Sequence, residues 1–265
     1  MMNQNDKYQD IHRLAVCSDL RRNILYNLFE GNRSLGKLRD SLNISATTAI
    51  HALRDLEKGN LTYQDKNKNY ALTNIGRIIA MKLRNFGNAA EVLNKHERFW
   101  LEHDMSGIPD QLLDKIEWLH GSNLTEDTAT DIFKVHTNFI NLLSRAKKIR
   151  GISSIFVPEF MTLFSDLIIN KKVDVELILT KEVIEKIDET IINNIISDEN
   201  LKFKLYITKE ETKAAFTVTD YFFSLGLYHI NGNYDYNRDL VSYERKGIDW
   251  GEKLFEWYLQ RAERI

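Results

Sequence analysis

The stretch ISATTAIHALRDLEKGNL at residues 44–61, followed directly by TYQDKNKNYALT, leaves this chain few folds to choose from. Ala49, Leu53 and Leu56 recur at i, i+4 and i+7, the stripe of a helix that buries one face. Ser45 is placed to cap its first turn, and Gly59 is expected to end it in the left-handed conformation that a helix terminus favours. The next dozen residues split into LTYQD and YALT around the polar turn KNKN, which reads as a β-hairpin with a basic tip. Upstream, Leu20, Ile24, Leu25, Leu28 and Phe29 predict a first helix stopped at Gly31. A second follows, with Ser34 as cap and Leu35, Leu38 and Leu42 turned inward.

Three helices and a basic-tipped hairpin make the winged helix-turn-helix layout. The run Ile44–Ser45, Thr48, Leu53, Leu56, Gly59–Leu61, Leu72–Thr73 and Gly76 resembles the archaeal and bacterial winged-helix regulators. Asn60, between Gly59 and Leu61, departs from their usual pattern by one residue and is expected to alter only the turn. In this layout the Ser45-capped helix presents Thr47, Thr48 and His51 to base edges in a major groove. Arg54 and Lys58, with Arg33, Lys37 and Arg39 around the preceding helix, are candidates for phosphate contacts. Lys66, Asn67, Lys68 and Asn69 of the wing reach for an adjacent backbone or minor groove. Charge agrees: residues 21–84 carry twelve Lys and Arg against five Asp and Glu, and residues 96–265 carry twenty-one against twenty-nine. A basic head on an acidic remainder suits nucleic-acid contact at one end only.

From Thr73 the chain returns to helix, with Ile75, Ile78, Ile79, Leu83, Phe86, Ala90, Leu93 and Phe99 taken as one apolar face and Gly87 as a point of interruption. Beyond Trp100 helix and strand alternate. Helices are expected at 109–119, 125–149, 158–170, 182–197 and 249–263, and strands at 152–157, 173–179, 202–208, 214–220 and 222–230. The last two strands suit a hairpin, and the helix between the first two favours a parallel crossover. The fold class is therefore α+β to α/β: an N-terminal winged helix-turn-helix, a linker helix, and a C-terminal α/β sandwich with a mixed sheet of about five strands. The expected division is 1–86 for the DNA-binding domain, 87–108 for the linker helix and 109–265 for an effector domain.

The segments FWLEHDMSGIPDQLLDKIEWL, DIFKVHTNFINLLSRAKKIRGISSIFVPEF, VDVELILT, AAFTVTDYFFSLGLYHINGNYD and WGEKLFEWYL resemble an archaeal regulator family known from methanogens, the methanogenesis regulatory proteins. The resemblance spans residues 10–262 and implies transcriptional control, while the winged-helix pattern points to double-stranded DNA as partner and the mildly basic recognition helix, with the long helix after the wing, to a homodimer. It also implies a C-terminal domain of phospholipase D type that has lost its chemistry. Consistent with that, no His-x-Lys pair, His-Glu-x-x-His or glycine-rich phosphate loop occurs, so no catalytic residue and no cofactor is expected. His96, Glu97 and His103 are read as a solvated helix face, leaving no metal site.

A small-molecule effector is the remaining role for the C-terminal domain. Polar residues that punctuate its apolar strands are the pocket candidates: Ser153, Ser154, Thr180, Thr219 and Ser224, with His136 and Arg145 as anion partners. The late aromatics, from Tyr221 to Tyr258, sit among acidic residues and are assigned to core or dimer surface rather than to RNA stacking. The N-terminus MMNQNDKYQD lacks a secretory signal, the longest apolar runs are short, and the lone Cys17 forms no internal disulfide, so a cytoplasmic, non-membrane protein is expected. The competing reading is a protein–protein adaptor whose winged helix docks another protein instead of DNA.

Overall fold

The computed structural model describes residues 11–198, 200–210 and 212–265; the first ten residues, on which the signal-peptide expectation rests, lie outside it. The chain forms two compact units, the first ending at Asn88 and the second beginning at Ala89.

In the first unit, helix α1 (Asp19–Phe29) is followed by strand β1 (Arg33–Ser34), helices α2 (Leu35–Leu42) and α3 (Ala46–Lys58), and hairpin strands β2 (Thr62–Gln64) and β3 (Asn69–Leu72). Ser18, Ser34 and Ser45 each accept a backbone N–H three residues on, satisfying a donor that the first helical turn leaves orphaned. The small sheet runs β1-β3-β2, all antiparallel. Leu25, Leu38, Leu53, Leu56 and Leu61 are fully buried in one core, as the helical stripes require. One turn differs from expectation. Gly59 has φ −79°, and it is Asn60, at φ 57°, that takes the left-handed step out of α3. Asparagine tolerates that region, so the one-residue departure carries the turn itself. Gly59 answers a different demand: a Cβ there would lie 2.5 Å from Leu14.

Helix α4 (Asn74–Lys95) runs unbroken through Gly87, and the residue-86/87 boundary read from the sequence falls inside it. Its apolar residues do not share one face. Ile79, Ala80 and Leu83 pack into the first core, whereas Ile75, Ile78 and Phe86 are 50%, 56% and 73% exposed.

The second unit is built on an eight-stranded mixed sheet of order β11-β7-β6-β5-β8-β9-β10-β4. Its strands are β4 (Asn123–Glu126), β5 (Lys148–Ser153), β6 (Asp174–Thr180), β7 (Phe203–Thr208), β8 (Ala214–Thr219), β9 (Phe223–Leu227), β10 (Arg238–Ser242) and β11 (Ala262–Arg264). β5, β6 and β7 are parallel and the other pairings antiparallel; β8 and β9 form the expected hairpin. On one face lies helix α5 (Arg245–Leu259), where Trp250, Leu254 and Phe255 meet Phe223 and Leu225 in a core without solvent. On the same side, Arg150 bridges Glu176 (2.7 Å) and Glu252 (2.8 Å), and Lys204 closes on Glu176. On the other face a second core forms from Leu143, Ile149, Leu167, Val175 and Phe222, under the segments Lys134–Leu143 and Pro158–Ser165.

The sheet is three strands wider than the sequence suggested. β4 lies where a helix over 125–149 was expected; the helix there begins at Lys134. β11 occupies the end of the expected helix 249–263, which stops at Leu259. β10 carries only Leu240 and Val241 as an apolar signal. The first strand is Lys148–Ser153 rather than 152–157. Residues 154–157 bend instead toward Pro158, which holds Val157 extended and starts a helix at its own N1 position.

Candidate nucleic-acid interface and ligand cavity

Helix α3 turns Ala49, Leu53 and Leu56 inward and leaves Thr47, Thr48, His51, Arg54 and Lys58 exposed. Ser45 Oγ accepts the Thr48 N–H at 3.1 Å and shares a hydrogen bond with the Thr48 hydroxyl at 2.7 Å. Ser45 and Thr48 thus hold the helix end, while Thr47 and His51 stand clear beside it. In the wing, Asp65 Oδ1 accepts the N–H groups of Asn67 (2.8 Å) and Asn69 (2.9 Å), and Lys68 takes a left-handed φ of 61°. The sequence reading passed over Asp65; its side chain shapes the turn that exposes Lys66, Asn67 and Lys68, with Asn69 half-buried in β3.

The cations divide in two. Arg33 donates to Asn27 O and pairs with Glu30 at 2.7 Å, and Arg39 pairs with Asp40 at 2.7 Å, so both guanidinium groups already have anionic partners. Lys37, Arg54, Lys58, Lys66 and Lys68 are exposed and make no ion pair among the described residues.

The second unit contains a cavity of about 510 Å³ on the sheet face opposite α5, closed over by Lys134–Leu143, Pro158–Ser165 and the loop before β10. His136, Ser153 and Ser224 are in its wall; Arg145, Ser154, Thr180 and Thr219 are not. The difference is in their own hydrogen bonds and exposure. Thr219 is buried and bonds Phe222 O at 3.1 Å, holding the β8–β9 turn, and Ser154 meets the Tyr228 hydroxyl at 2.7 Å. Thr180 precedes the helical turn Lys181–Ile184, and Arg145 is exposed. His136 stacks on Phe160, rings 5.2 Å apart and 9° from parallel. Ser224 Oγ donates to Asp239 Oδ2 at 2.6 Å. Burial, opposed by hydrogen bonds from Ser224 and Leu225, pushes the Asp239 carboxyl up to about 7. Burial also pushes the Tyr234 phenol well above its ordinary value. The sequence offered no sign of Asp239, whose partner lies fifteen residues away on the next strand.

Among the described residues one group has metal-ligand chemistry: His103, His229 and Asp235, with donor atoms within 4.8 Å of one another. Its charge is already matched. Asp235 Oδ2 accepts from Arg238 Nε at 2.6 Å and faces His103 Nε2 at 3.1 Å. Burial raises the Asp235 carboxyl, but His103, the Asn237 N–H and Arg238 outweigh that and bring it down to about 2. The cluster ties the turn after β9 to the helix Glu97–Glu102. The solvated helix face expected for His96, Glu97 and His103 is not found: both histidines are buried, His96 turned to Ser122 O at 3.2 Å and His103 to Asp235, so the triplet is not assembled either.

A winged helix-turn-helix followed by an α/β unit with a ligand-sized cavity is the class that fold and site define. Residues 8–89 match the family model "Methanogenesis regulatory protein FilR1, N-terminal domain", and residues 132–261 match that protein's middle domain. The chain belongs to the methanogenesis regulatory protein family. A curated relative, methanogenesis regulatory protein FilR1 of Methanothrix harundinacea (strain 6Ac), is 28% identical over 269 residues, which is all of this chain and 60% of that protein. The chain therefore spans about 60% of the length of the relative it matches. Two solved structures are similar at low identity. TrmBL2, described as an archaeal chromatin protein with a novel mode of DNA binding, has a TM-score of 0.44 and 14% identity over 89% of each chain. NucT from Helicobacter pylori has a TM-score of 0.41 and 14% identity over 54% of this chain and 98% of its own. Neither likeness bears on function here. Among the described residues no helix is long and apolar enough to cross a membrane.

Proposed function

We propose that the chain is a DNA-binding transcriptional regulator that works as a homodimer in the cytoplasm and carries a small-molecule site in its second unit. Residues 1–86 act as the reader, 87–108 as the linker and 109–265 as the effector domain, which performs no catalysis. The carrying observation is the reading surface of the first unit. Thr47 and His51 stand exposed at the start of α3, and Arg54, Lys58, Lys37, Lys66 and Lys68 surround them without ion-pair partners among the described residues. Unpaired surface cations are the groups that exchange condensed counterions for phosphates. Ile75, Ile78 and Phe86 supply an exposed apolar stripe along one side of α4, which a second copy of the same helix can cover. Two readers then share one site, which offsets the mild charge of each.

The test is capture of bound genomic fragments, followed by affinity for the top site across salt. With six phosphate contacts per dimer, affinity falls roughly 1000-fold between about 50 and 200 mM salt. Lys68→Ala lowers the slope by about one phosphate per copy on any sequence, and His51→Ala weakens the captured site more than random DNA. Binding indifferent to salt and to both substitutions transfers the winged helix to the adaptor role.

A further inference from the structure

The cavity in the second unit has a marked chemical bias. Seven of its wall residues are phenylalanines, four are carboxylic acids (Asp127, Glu159, Asp235 and Asp239), and none is Lys or Arg. Lys186 lies 5.9 Å over the Phe156 ring but is not part of the wall. Three of the acids are accounted for. Asp235 is matched by Arg238, Asp127 accepts the Val135 N–H at 2.8 Å, and Glu159 is exposed. Asp239 differs in its burial: it is 7% exposed, its partners are the Ser224 hydroxyl and the Leu225 N–H, and, as for Asp127 and Glu159, no ion pair reaches it among the described residues. A carboxylate taken out of water with only neutral partners is costly, and a cation brought beside it recovers that cost.

We propose that this cavity binds a hydrophobic amine, its ammonium group seated against Asp239 and its hydrocarbon among the phenylalanines. This rests on the reading of the second unit as the ligand-binding part of the protein. The aromatic wall suits the same ligand twice, since ring faces accept both hydrocarbon and cation. A carboxylate or phosphate ligand meets four acids and no Lys or Arg, so the anion partnership suggested by His136 and Arg145 is not what this wall offers.

Binding is coupled to protons. Asp239 is half protonated near pH 7 in the free protein. An ammonium group holds it ionised, so each amine bound displaces part of a proton, and affinity rises as pH climbs from 6 to 8. The other titratable groups around it are Tyr234, Asp235 and Tyr243, with Asp127, His136, Glu159 and Tyr236 elsewhere in the wall. Burial raises both tyrosines above 10 and Asp235 sits at about 2, so none of these three changes charge in that interval. His136 is controlled for by substitution.

The experiment is titration calorimetry of the full chain with octylamine, 1-octanol and octanoate at pH 6 and 8. It is repeated with Asp239→Asn and His136→Gln, and DNA affinity is measured on the same samples. Octylamine is expected to bind at least tenfold more tightly than octanol, octanoate to bind least, and octylamine alone to tighten severalfold from pH 6 to 8. Asp239→Asn should erase the preference for amine and its pH dependence while sparing octanol, and His136→Gln should keep both. Octanoate matching octylamine, an amine preference that survives Asp239→Asn, or no binding by any of the three overturns the assignment. The pH response of the unsubstituted protein tests it independently of how the variants fold. Salt-dependent DNA binding that persists while the amine preference fails removes this inference alone; loss of DNA binding with the preference intact removes the regulator reading instead.

Discussion

Gly76 and Gly87 lie on the same helix, yet exchanging each for alanine is expected to shift stability in opposite directions. Alanine is favoured over glycine in a helix by about 1 kcal/mol, which applies at both positions. At Gly87 the added Cβ meets only the Tyr26 hydroxyl at 3.5 Å, an ordinary contact. Gly87→Ala should therefore stabilise by about 0.5–1 kcal/mol. At Gly76 the Cβ would fall 1.8 Å from Leu61 O, 2.8 Å from Leu61 C and 3.1 Å from its Cα. All three atoms are backbone, so no side chain can swing away. Restoring a normal contact requires α4 and the residues leading into β2 to part by about 1.5 Å. The Thr73 hydroxyl holds them together, accepting the Gly76 N–H at 2.9 Å and donating to Asn60 O at 2.6 Å. Overpacking of this kind costs about 1–3 kcal/mol, and rigid backbone on both sides places it at the upper end. Less the gain in propensity, Gly76→Ala should destabilise by about 2 kcal/mol, a fall in Tm of roughly 8–16 °C for a unit of this size, against a rise of a few degrees for Gly87→Ala. Thermal and urea unfolding followed by far-UV circular dichroism measures both. All four tryptophans belong to the second unit, so their fluorescence serves as the internal reference. A Tm raised by both substitutions would refute the close approach of α4 to Leu61.

Ser45→Ala removes the acceptor for the Thr48 N–H at an exposed helix end, and should cost about 1 kcal/mol in the unfolding of the first unit and weaken DNA binding at the same time. Asp239 has its carboxyl raised in the folded protein from 3.8 to about 7, so its contribution is fully present at acid pH and is lost as pH rises through 7. Stability is expected to fall by at most about 4 kcal/mol between pH 4 and 8 from this group, and Asp239→Asn should flatten that slope in urea unfolding. Ile78→Lys with Phe86→Glu, both on the exposed stripe of α4, should leave the native far-UV circular dichroism unchanged, shift the species seen by analytical ultracentrifugation from dimer to monomer, and remove the dependence of Tm on protein concentration.

The first unit was legible because its signals are local. A serine cap, an i, i+4, i+7 stripe and a polar turn each act within one helix or one hairpin, and each appears where the spacing placed it. Even the re-entry motif has a short-range cause, since Thr73 and Gly76 answer to Asn60 and Leu61 across the hairpin they close. The misreadings there were small: Asn60, not Gly59, takes the positive φ, and the two-residue strand β1, too short to carry a pattern, adds a third strand to the hairpin. In the second unit the elements with continuous apolar runs, β6 through β9, were readable, whereas β4, β10 and β11 were not. β4 and β11 close the two edges of the sheet, and short edge strands with one polar face carry little hydrophobic pattern. β10 is interior, but Arg238 and Asp239 cut its apolar run to two residues, and Asp239 lines the cavity.

That interruption connects the two halves of the chemistry. Polar residues on β9 and β10 look like weak strand signals in a linear reading, yet Ser224 and Asp239 meet only because the two strands pair antiparallel in the register Val241–Ser224. Arg238 neutralises Asp235 from three residues away and His103 hydrogen-bonds it from 132 away, whereas among the described residues no cation reaches Asp239. The charge imbalance between the first and second parts of the chain therefore means something different in each. In the first unit, cations without ion-pair partners among the described residues are exposed, where the proposed contact with a polyanion is strongly screened by salt. In the second, one buried carboxyl without a cation among the described residues lies in the wall of an aromatic cavity, where screening is weak and a single complementary charge would decide what binds. On the proposed reading, a ligand there would alter DNA affinity only through a difference in its affinity for two states of the protein, and a proton on Asp239 would weaken the hold on an ammonium group, so pH would act on the same equilibrium.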